Sequence, residues 1–345
     1  MSARAELEGT HLAIRAPNWV GDLVMATPVL RAAASDPRPA RVSILVREHL
    51  ADILSGDELE PHLVRVGRGL TEREAYAELQ PDSVLLLSNS PGSALRAWLA
   101  RVPVRAGAAL AGRGPLLTHR VVPPSRGGRR VAIPTAHLLA DVAGLVDLSP
   151  AELHPVLEVD RPSAERAREI LRELRLEEFV VCCPGAAFGA AKLWPIERFA
   201  AALTEIHRER GWPVLLLGAP GERPLLEGLE QLLPDIAHLP PAGSATLAIS
   251  KALVRESRLV LVGDSGPRWI AAAFDIPCVS VMGPNFPELT ATSLERCEIV
   301  RRDDLECAPC LERSCPLGHH RCLNDLPVET VLAAVRRVLS PARVG

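Results

Sequence analysis

Arg15-Ala-Pro-Asn-Trp-Val-Gly-Asp22-Leu-Val-Met-Ala-Thr-Pro28, preceded by the apolar run Leu12-Ala13-Ile14, is the stretch from which the fold is read. The apolar run reads as a short buried strand, Pro17 to Gly21 as a turn, and the spacing from Leu23 through Leu30 as a helix. Ligands of open α/β sheets gather at the carboxyl ends of their strands. Asp22 stands at such a place. Two roles are open to it: the N-cap of the helix, a position that favours Asp, or a carboxylate presented to a ligand. The downstream sequence favours the second.

Working outward, strand-like runs alternate with helical ones. Val42 to Val46 and Ser83 to Leu87 are Val- and Leu-rich, as parallel strands buried on both faces are. An irregular proline-bearing connection spans Val156 to Pro162, and a helix follows from Ala164 to Leu174. A second alternation then begins: strand Phe179–Cys183, helix Ile196–Arg210, strand Val214–Gly218 and helix Pro224–Leu233. Helix Leu247–Glu256, strand Leu259–Gly263, helix Trp269–Phe274 and strand Cys278–Met282 complete it. The pattern predicts two doubly wound α/β domains, residues 1–160 and 161–345, facing a cleft in which substrates would meet. The last helix is free in this reading to pack back on the N-terminal domain.

With 345 residues, 48% hydrophobic and 23% charged, the composition is that of a soluble globular protein. No apolar run spans a bilayer and the N-terminus, with Glu6 and Glu8, lacks a signal pattern, so the expectation is a cytoplasmic chain. A net charge of −3 argues against nucleic acid as a partner. The charge is unevenly spread, however. No carboxylate falls between Asp82 and Asp141, while Arg96, Arg101, Arg105, Arg113, Arg120, Arg126, Arg129 and Arg130 all do. Such a stretch is either a solvated surface or a cationic platform for a phosphorylated or carboxylated substrate, which the Arg fork binds bidentately.

Two strand-to-helix turns in the second half are rich in small residues: Cys183-Pro-Gly-Ala-Ala-Phe-Gly-Ala-Ala-Lys192-Leu-Trp-Pro195 and Val262-Gly-Asp264-Ser-Gly-Pro267. Small residues let a bound group approach the backbone, and helix N-termini favour anions. Lys192 adds a full charge. Neither turn is a Walker loop, and the dinucleotide fingerprint is missing.

Together these motifs, in this order, resemble glycosyltransferase family 9, the ADP-heptose:lipopolysaccharide heptosyltransferases, nearest the heptosyltransferase II branch. The likeness extends to Gly218-Ala-Pro-Gly-Glu222-Arg223 and to Gly283-Pro284, covering nearly the whole chain. It implies a GT-B fold with the acceptor on the N-terminal half and the nucleotide-sugar on the C-terminal half. The implied reaction is inverting transfer of heptose from ADP-L-glycero-D-manno-heptose to the anionic inner core of lipopolysaccharide, with peripheral contact at the inner membrane surface. By position, Asp22 matches the general base, and Lys192 the residue on diphosphate and sugar. Glu222 matches a carboxylate for the ribose, and Asp264, Ser265 and Gly266 the turn holding sugar and phosphates. Family members commonly follow that turn with Pro-Met-His; here Pro267-Arg268-Trp269 stands instead, so Trp269 is expected to line the donor site. Arg126, Arg129 and Arg130 are expected to hold the acceptor.

The chemistry suits these residues. A base must take the acceptor's hydroxyl proton, and positive charge must meet the leaving diphosphate. No Asp-x-Asp pair stands in a nucleotide-binding turn, so no catalytic metal or other cofactor is expected. Four of the eight cysteines, Cys307, Cys310, Cys315 and Cys322, form a Cys-rich insertion over residues 307–322. In a cytoplasmic chain this spacing points to a structural Zn²⁺, with His319 or His320 able to replace a thiolate, or else to free thiols or disulfides. Three other functions remain open here: a family 9 enzyme with another sugar nucleotide, a non-catalytic nucleotide-sugar binder, and a nicotinamide dehydrogenase. The missing glycine fingerprint weighs against the last.

Overall fold

The computed structural model describes residues 5–126 and 129–340, with backbone alone at Arg129 and Arg130. The chain divides into two compact units, Met1–Glu158 and Val159–Gly345.

The first unit opens with β1 (His11–Arg15), α1 (Val20–Ala34), β2 (Arg41–Arg47) and the single turn α2 (Glu48–Ala51). Next come β3 (Leu63–Val66), α3 (Glu72–Leu79), β4 (Ser83–Leu86), α4 (Pro91–Leu99), β5 (Val104–Ala108) and β6 (His119–Val121). A small antiparallel hairpin, β7 (Ser125–Arg126) with β8 (Arg129–Arg130), precedes α5 (Thr135–Ala143).

The second unit contains α6 (Arg161–Glu173), β9 (Val180–Cys183), α7 (Ile196–Arg210), β10 (Val214–Leu216), α8 (Arg223–Leu232) and β11 (Ala237–His238). It continues with α9 (Leu247–Glu256), β12 (Leu259–Gly263), α10 (Pro267–Ala273), β13 (Cys278–Val281), β14 (Cys297–Val300), α11 (Arg321–Asn324) and α12 (Val328–Leu339). The last helix packs on α7, β13 and β14, all of its own unit.

Each unit carries one six-stranded parallel sheet, and the order is the same in both: β3-β2-β1-β4-β5-β6 and β11-β10-β9-β12-β13-β14. This is the doubly wound arrangement, in which the chain reverses direction between the first and fourth strands and opens a crevice at their carboxyl ends. The central strands are apolar because helices cover both faces. Leu12, Ala13 and Ile14 of β1 have no exposed surface, nor do Leu259 to Val262 of β12. Each such Leu, Val or Ile contributes roughly 1.5–3 kcal/mol by leaving water. The doubly wound reading of both halves therefore holds.

Helix α1 contains Pro28, which lacks the N–H that would meet the Val24 carbonyl. The Thr27 hydroxyl donates to that carbonyl instead, at 2.8 Å, and accepts the Val156 N–H at 3.0 Å. A potential helix breaker thus becomes an anchor for the segment that leaves the first unit.

Candidate active site

In the first unit the switch point lies after β1, and the turn there runs directly into α1. The N-cap position belongs to Trp19, which makes no side-chain cap bond. Asp22, half-buried, lies in the first turn of the helix, where the dipole favours its carboxylate. The N-cap reading of Asp22 is therefore corrected.

Around the same strand ends stands a cluster that local patterns did not reveal. Arg15, fully buried, donates through Nε to Glu72 at 3.0 Å and through Nη2 to Asn18 Oδ1 at 2.6 Å. Asn18 donates to the Ser88 hydroxyl at 2.9 Å and accepts from Arg47 Nε at 3.3 Å. Arg96 approaches the same Glu72 at 3.8 Å. Two arginines thus share one buried carboxylate with Arg47 close by, and Arg47 is held below the usual guanidinium range, first by burial and then by the charge of Arg15. The partners come from β1, β2, α3 and α4, so no short sequence window contains the pattern.

The Arg-rich stretch is less a surface platform than its composition implies. Arg113 is buried and donates to the carbonyls of Ala108 (2.8 Å) and Ser88 and to Asn89 Oδ1 (3.2 Å), with burial pulling its pKa down to about 10. Arg105 likewise donates to the Leu116 carbonyl at 2.7 Å and to that of Val102 at 2.5 Å. These two arginines stitch backbone. Arg126 is exposed on the hairpin, and the side chains of Arg129 and Arg130 lie outside the described residues.

In the second unit the structure brings together three of the residues expected to bind the donor. The long turn after β9 meets the turn after β12: Lys192 Nζ lies 2.6 Å from Asp264 Oδ2, with the two side chains only 12% and 10% exposed. The Phe188 ring shields the ammonium from the other side at 4.7 Å. Gly263 packs on the backbone of the first turn, where a Cβ would make ordinary contact with the Lys192 carbonyl at 3.6 Å and with that of Gly185 at 3.8 Å. Glu222 accepts the Ala219 N–H at 2.7 Å and lays its carboxylate on Gly185, where a Cβ would come within 2.2 Å of Oε1. Trp194, 1% exposed, anchors the far end of the turn edge-on to Phe199 at 4.9 Å.

Two expectations change here. Helix N-termini were to cradle the phosphates, but α7 starts at Ile196, beyond a 3₁₀ turn that ends at Lys192. Helix α10 begins with Pro267, which has no N–H, and the amides of Ser265, Arg268 and Trp269 already donate to Gly263, Ser265 and Gly266. Lys192 brings a full positive charge to the place where the two turns meet. Trp269, expected to line the donor site, is 4% exposed and faces the interior, with the Arg268 guanidinium 4.2 Å over its ring. Arg268 is itself buried: it donates to the Thr290 (2.9 Å) and Thr292 (3.0 Å) carbonyls and to the Cys297 sulfur at 3.3 Å. Trp269→His is accordingly expected to lower the melting temperature, with a stability loss approaching the ~3–5 kcal/mol of a buried Trp truncated to Ala. ADP affinity should stay at the parental value; calorimetry alongside thermal denaturation checks both.

The four clustered cysteines are free thiols, as are the four others. Among the described residues no three His, Cys, Asp or Glu side chains are grouped to hold a metal ion, while the Cys322 thiol is raised first by burial and then by the neighbouring Cys310, Cys315 and Cys307. Cys182 and Cys278 are fully buried in strands, as core residues are.

The fold has counterparts in known proteins. Escherichia coli ADP-heptose lipopolysaccharide heptosyltransferase II superposes with a TM-score of 0.75 at 23% identity, covering 95% of this chain and 98% of that one. The fold is therefore the GT-B arrangement of two doubly wound units. Residues 71–321 match the model of glycosyltransferase family 9 (heptosyltransferase), and the chain belongs to that family and is a glycosyltransferase. Lipooligosaccharide heptosyltransferase 2 of Haemophilus influenzae is 27% identical over 341 residues, 96% of this chain and 91% of the relative. Its namesake from Campylobacter jejuni is 29% identical over 164 residues, and there the match spans about half of each chain, 46% and 50%.

Proposed function

We propose that this chain transfers a heptose from ADP-L-glycero-D-manno-heptose to the inner core of lipopolysaccharide, with inversion at the anomeric carbon. The observation that carries the reading is the shielded Lys192–Asp264 pair at the ends of β9 and β12, beside Glu222. Lys192 meets the β-phosphate as the glycosidic C–O bond breaks and negative charge grows on the departing ADP. A carboxylate beside a diphosphate would repel it, so Asp264 is assigned to sugar hydroxyls, which donate to its oxygens while its charge stays neutralised by Lys192. Glu222 takes the ribose hydroxyls. Asp22 accepts the proton of the acceptor hydroxyl as its oxygen bonds to the anomeric carbon. With Lys192 in this role, the transfer step is assigned no cofactor.

The acceptor is anionic in this reading. The excess positive charge of Arg15, Arg47 and Arg96 over Glu72 supports that, at the same strand ends as the turn leading to Asp22. Arg126, Arg129 and Arg130 are assigned to the same partner. No helix among the described residues is long and apolar enough to cross a membrane. Peripheral contact from the cytoplasmic side is supported by α4, which exposes Leu95, Trp98 and Leu99 (43%, 49% and 48%) at helical spacing. Arg96 and Arg101 flank them, and Trp is well suited to a bilayer interface.

A donor screen tests the assignment: release of nucleoside diphosphate is measured from several sugar nucleotides with a deacylated lipopolysaccharide core present or absent. ADP released from ADP-heptose only when the core is present is the expected result. Turnover of a different sugar nucleotide would replace the donor and keep the reaction class. Tight ADP-heptose binding without turnover of any donor would make the chain a binder.

A further inference from the structure

The cysteine-rich segment between β14 and α11 lacks regular secondary structure and is tied at several points to the rest of the second unit. Its start is tied to the end of α11 by Arg302, which pairs with Asp304 and, at 3.1 Å, with Asp325. Its middle is pinned where the Cys310 and Leu311 amides both donate to the Pro284 carbonyl, at 3.0 and 2.9 Å. Its end reaches back to the turn that carries Lys192. There the Ala191 N–H donates to the Arg313 carbonyl at 3.0 Å, and His320 Nε2 lies 2.8 Å from the Ala191 carbonyl. A carbonyl only accepts, so Nε2 carries the proton in this contact. Both backbone groups of the residue preceding Lys192 are therefore held by this one segment.

Two further contacts mark a built fit. Gly189 has φ +152°, and a Cβ on it would lie 2.5 Å from the Arg313 carbonyl, so only glycine allows the two chains to approach. The Arg313 guanidinium stands 5.1 Å from the centre of the Phe188 ring, the ring that also shields Lys192. Cys315 explains how His320 is aimed. Its sulfur accepts the His320 N–H at 3.3 Å, and the amides of residues 317 to 319 point at it as well, holding the thiol below its usual range. That bond fixes His320 in a left-handed conformation at φ +49°, from which the ring reaches Ala191.

We propose that the cysteine-rich segment is a strap that positions the donor-binding turn, with His320 as its clamp and the Cys315 sulfur as the seat of that clamp. The inference rests on the reading of Lys192 as the diphosphate-binding residue. His320 is a positioning residue: it acts on Lys192 only through Ala191. Cys315 then has a use of its own, as a sulfur acceptor that shapes a loop lacking regular secondary structure.

Two substitutions in the full-length protein test the strap. His320→Leu removes the donor at similar bulk, whereas His320→Gln keeps an N–H near the place of Nε2. In the ligand-free protein, amide hydrogen exchange of the peptide spanning residues 186–193 should quicken in His320→Leu and return to the parental rate in His320→Gln. ADP affinity, measured by calorimetry, should fall roughly three- to tenfold in His320→Leu, as for one lost hydrogen bond, and recover in His320→Gln. Donor KM should follow while acceptor KM stays unchanged. Unchanged exchange in His320→Leu, or equal losses in both variants, overturns the strap. A parent protein that binds no ADP overturns instead the donor assignment of Lys192, and the exchange measurement still decides the strap.

Discussion

Asp22→Asn is expected to leave melting temperature and ADP affinity close to parental values while turnover falls by ~10²–10⁴-fold, the usual contribution of a general base. The asparagine keeps the volume and the polar contacts available to one oxygen, but it cannot take a proton from an acceptor hydroxyl. The position sharpens the expectation. Asp22 is not the N-cap of α1, since Trp19 occupies that place. The substitution also gives up a first-turn carboxylate's interaction with the helix dipole, ~0.3–1 kcal/mol. Initial rates at saturating donor and acceptor, with calorimetry for ADP, check the outcome. A variant that turns over like the parent would strip Asp22 of its role as base.

The second large effect belongs to Lys192→Ala. Losing a charge-assisted hydrogen bond costs roughly 1.5–3 kcal/mol, so ADP affinity should drop about 10- to 150-fold. The structure adds a reason to expect the upper part of that range. Asp264 and Lys192 are both about nine-tenths shielded from water, and removing the ammonium leaves a carboxylate uncompensated close to the incoming diphosphate. The penalty therefore combines a lost attraction with a new repulsion. Lys192→Ala/Asp264→Asn removes both charges and should regain part of the lost ADP affinity, though not the affinity for the sugar. Equal ADP binding by Lys192→Ala and the parent would place the diphosphate elsewhere.

Much of the fold was legible because long apolar patterns and helix ends say the same thing locally. Helices Ile196–Arg210 and Leu247–Glu256 and strand Leu259–Gly263 lie where their periodicity puts them. The first helix ends on Gly211 at φ +74°, and the second begins on Thr246, whose hydroxyl accepts the Ile249 N–H. Edge strands were harder to see. β3 and β6 are short and half-exposed, and β11 has two residues, so none offers an apolar run to read.

At the site, the pairing of Lys192 with Asp264 joins residues 72 positions apart, and only the motif order hinted at it. Trp269 was misjudged for a physical reason: an aromatic in a ligand-binding motif reads alike whether its ring faces solvent or core. Burial by Arg268 decides it, and a buried arginine held by carbonyls and a thiol leaves no trace in local sequence. The same holds for Arg113, which the charge pattern counted as surface.

The contact between Gly189 and the Arg313 carbonyl has a consequence for anyone recombining this chain with its relatives. The turn and the strap are separated by more than a hundred residues, yet sterically they are a single cassette. A chimera that imports the turn from a relative with a side chain at position 189 would drive that side chain into the Arg313 carbonyl. One that imports residues 303–320 alone would keep the glycine and lose the backbone fitted against it. Crossover points that keep both pieces from one parent preserve the interlock; those that split them do not.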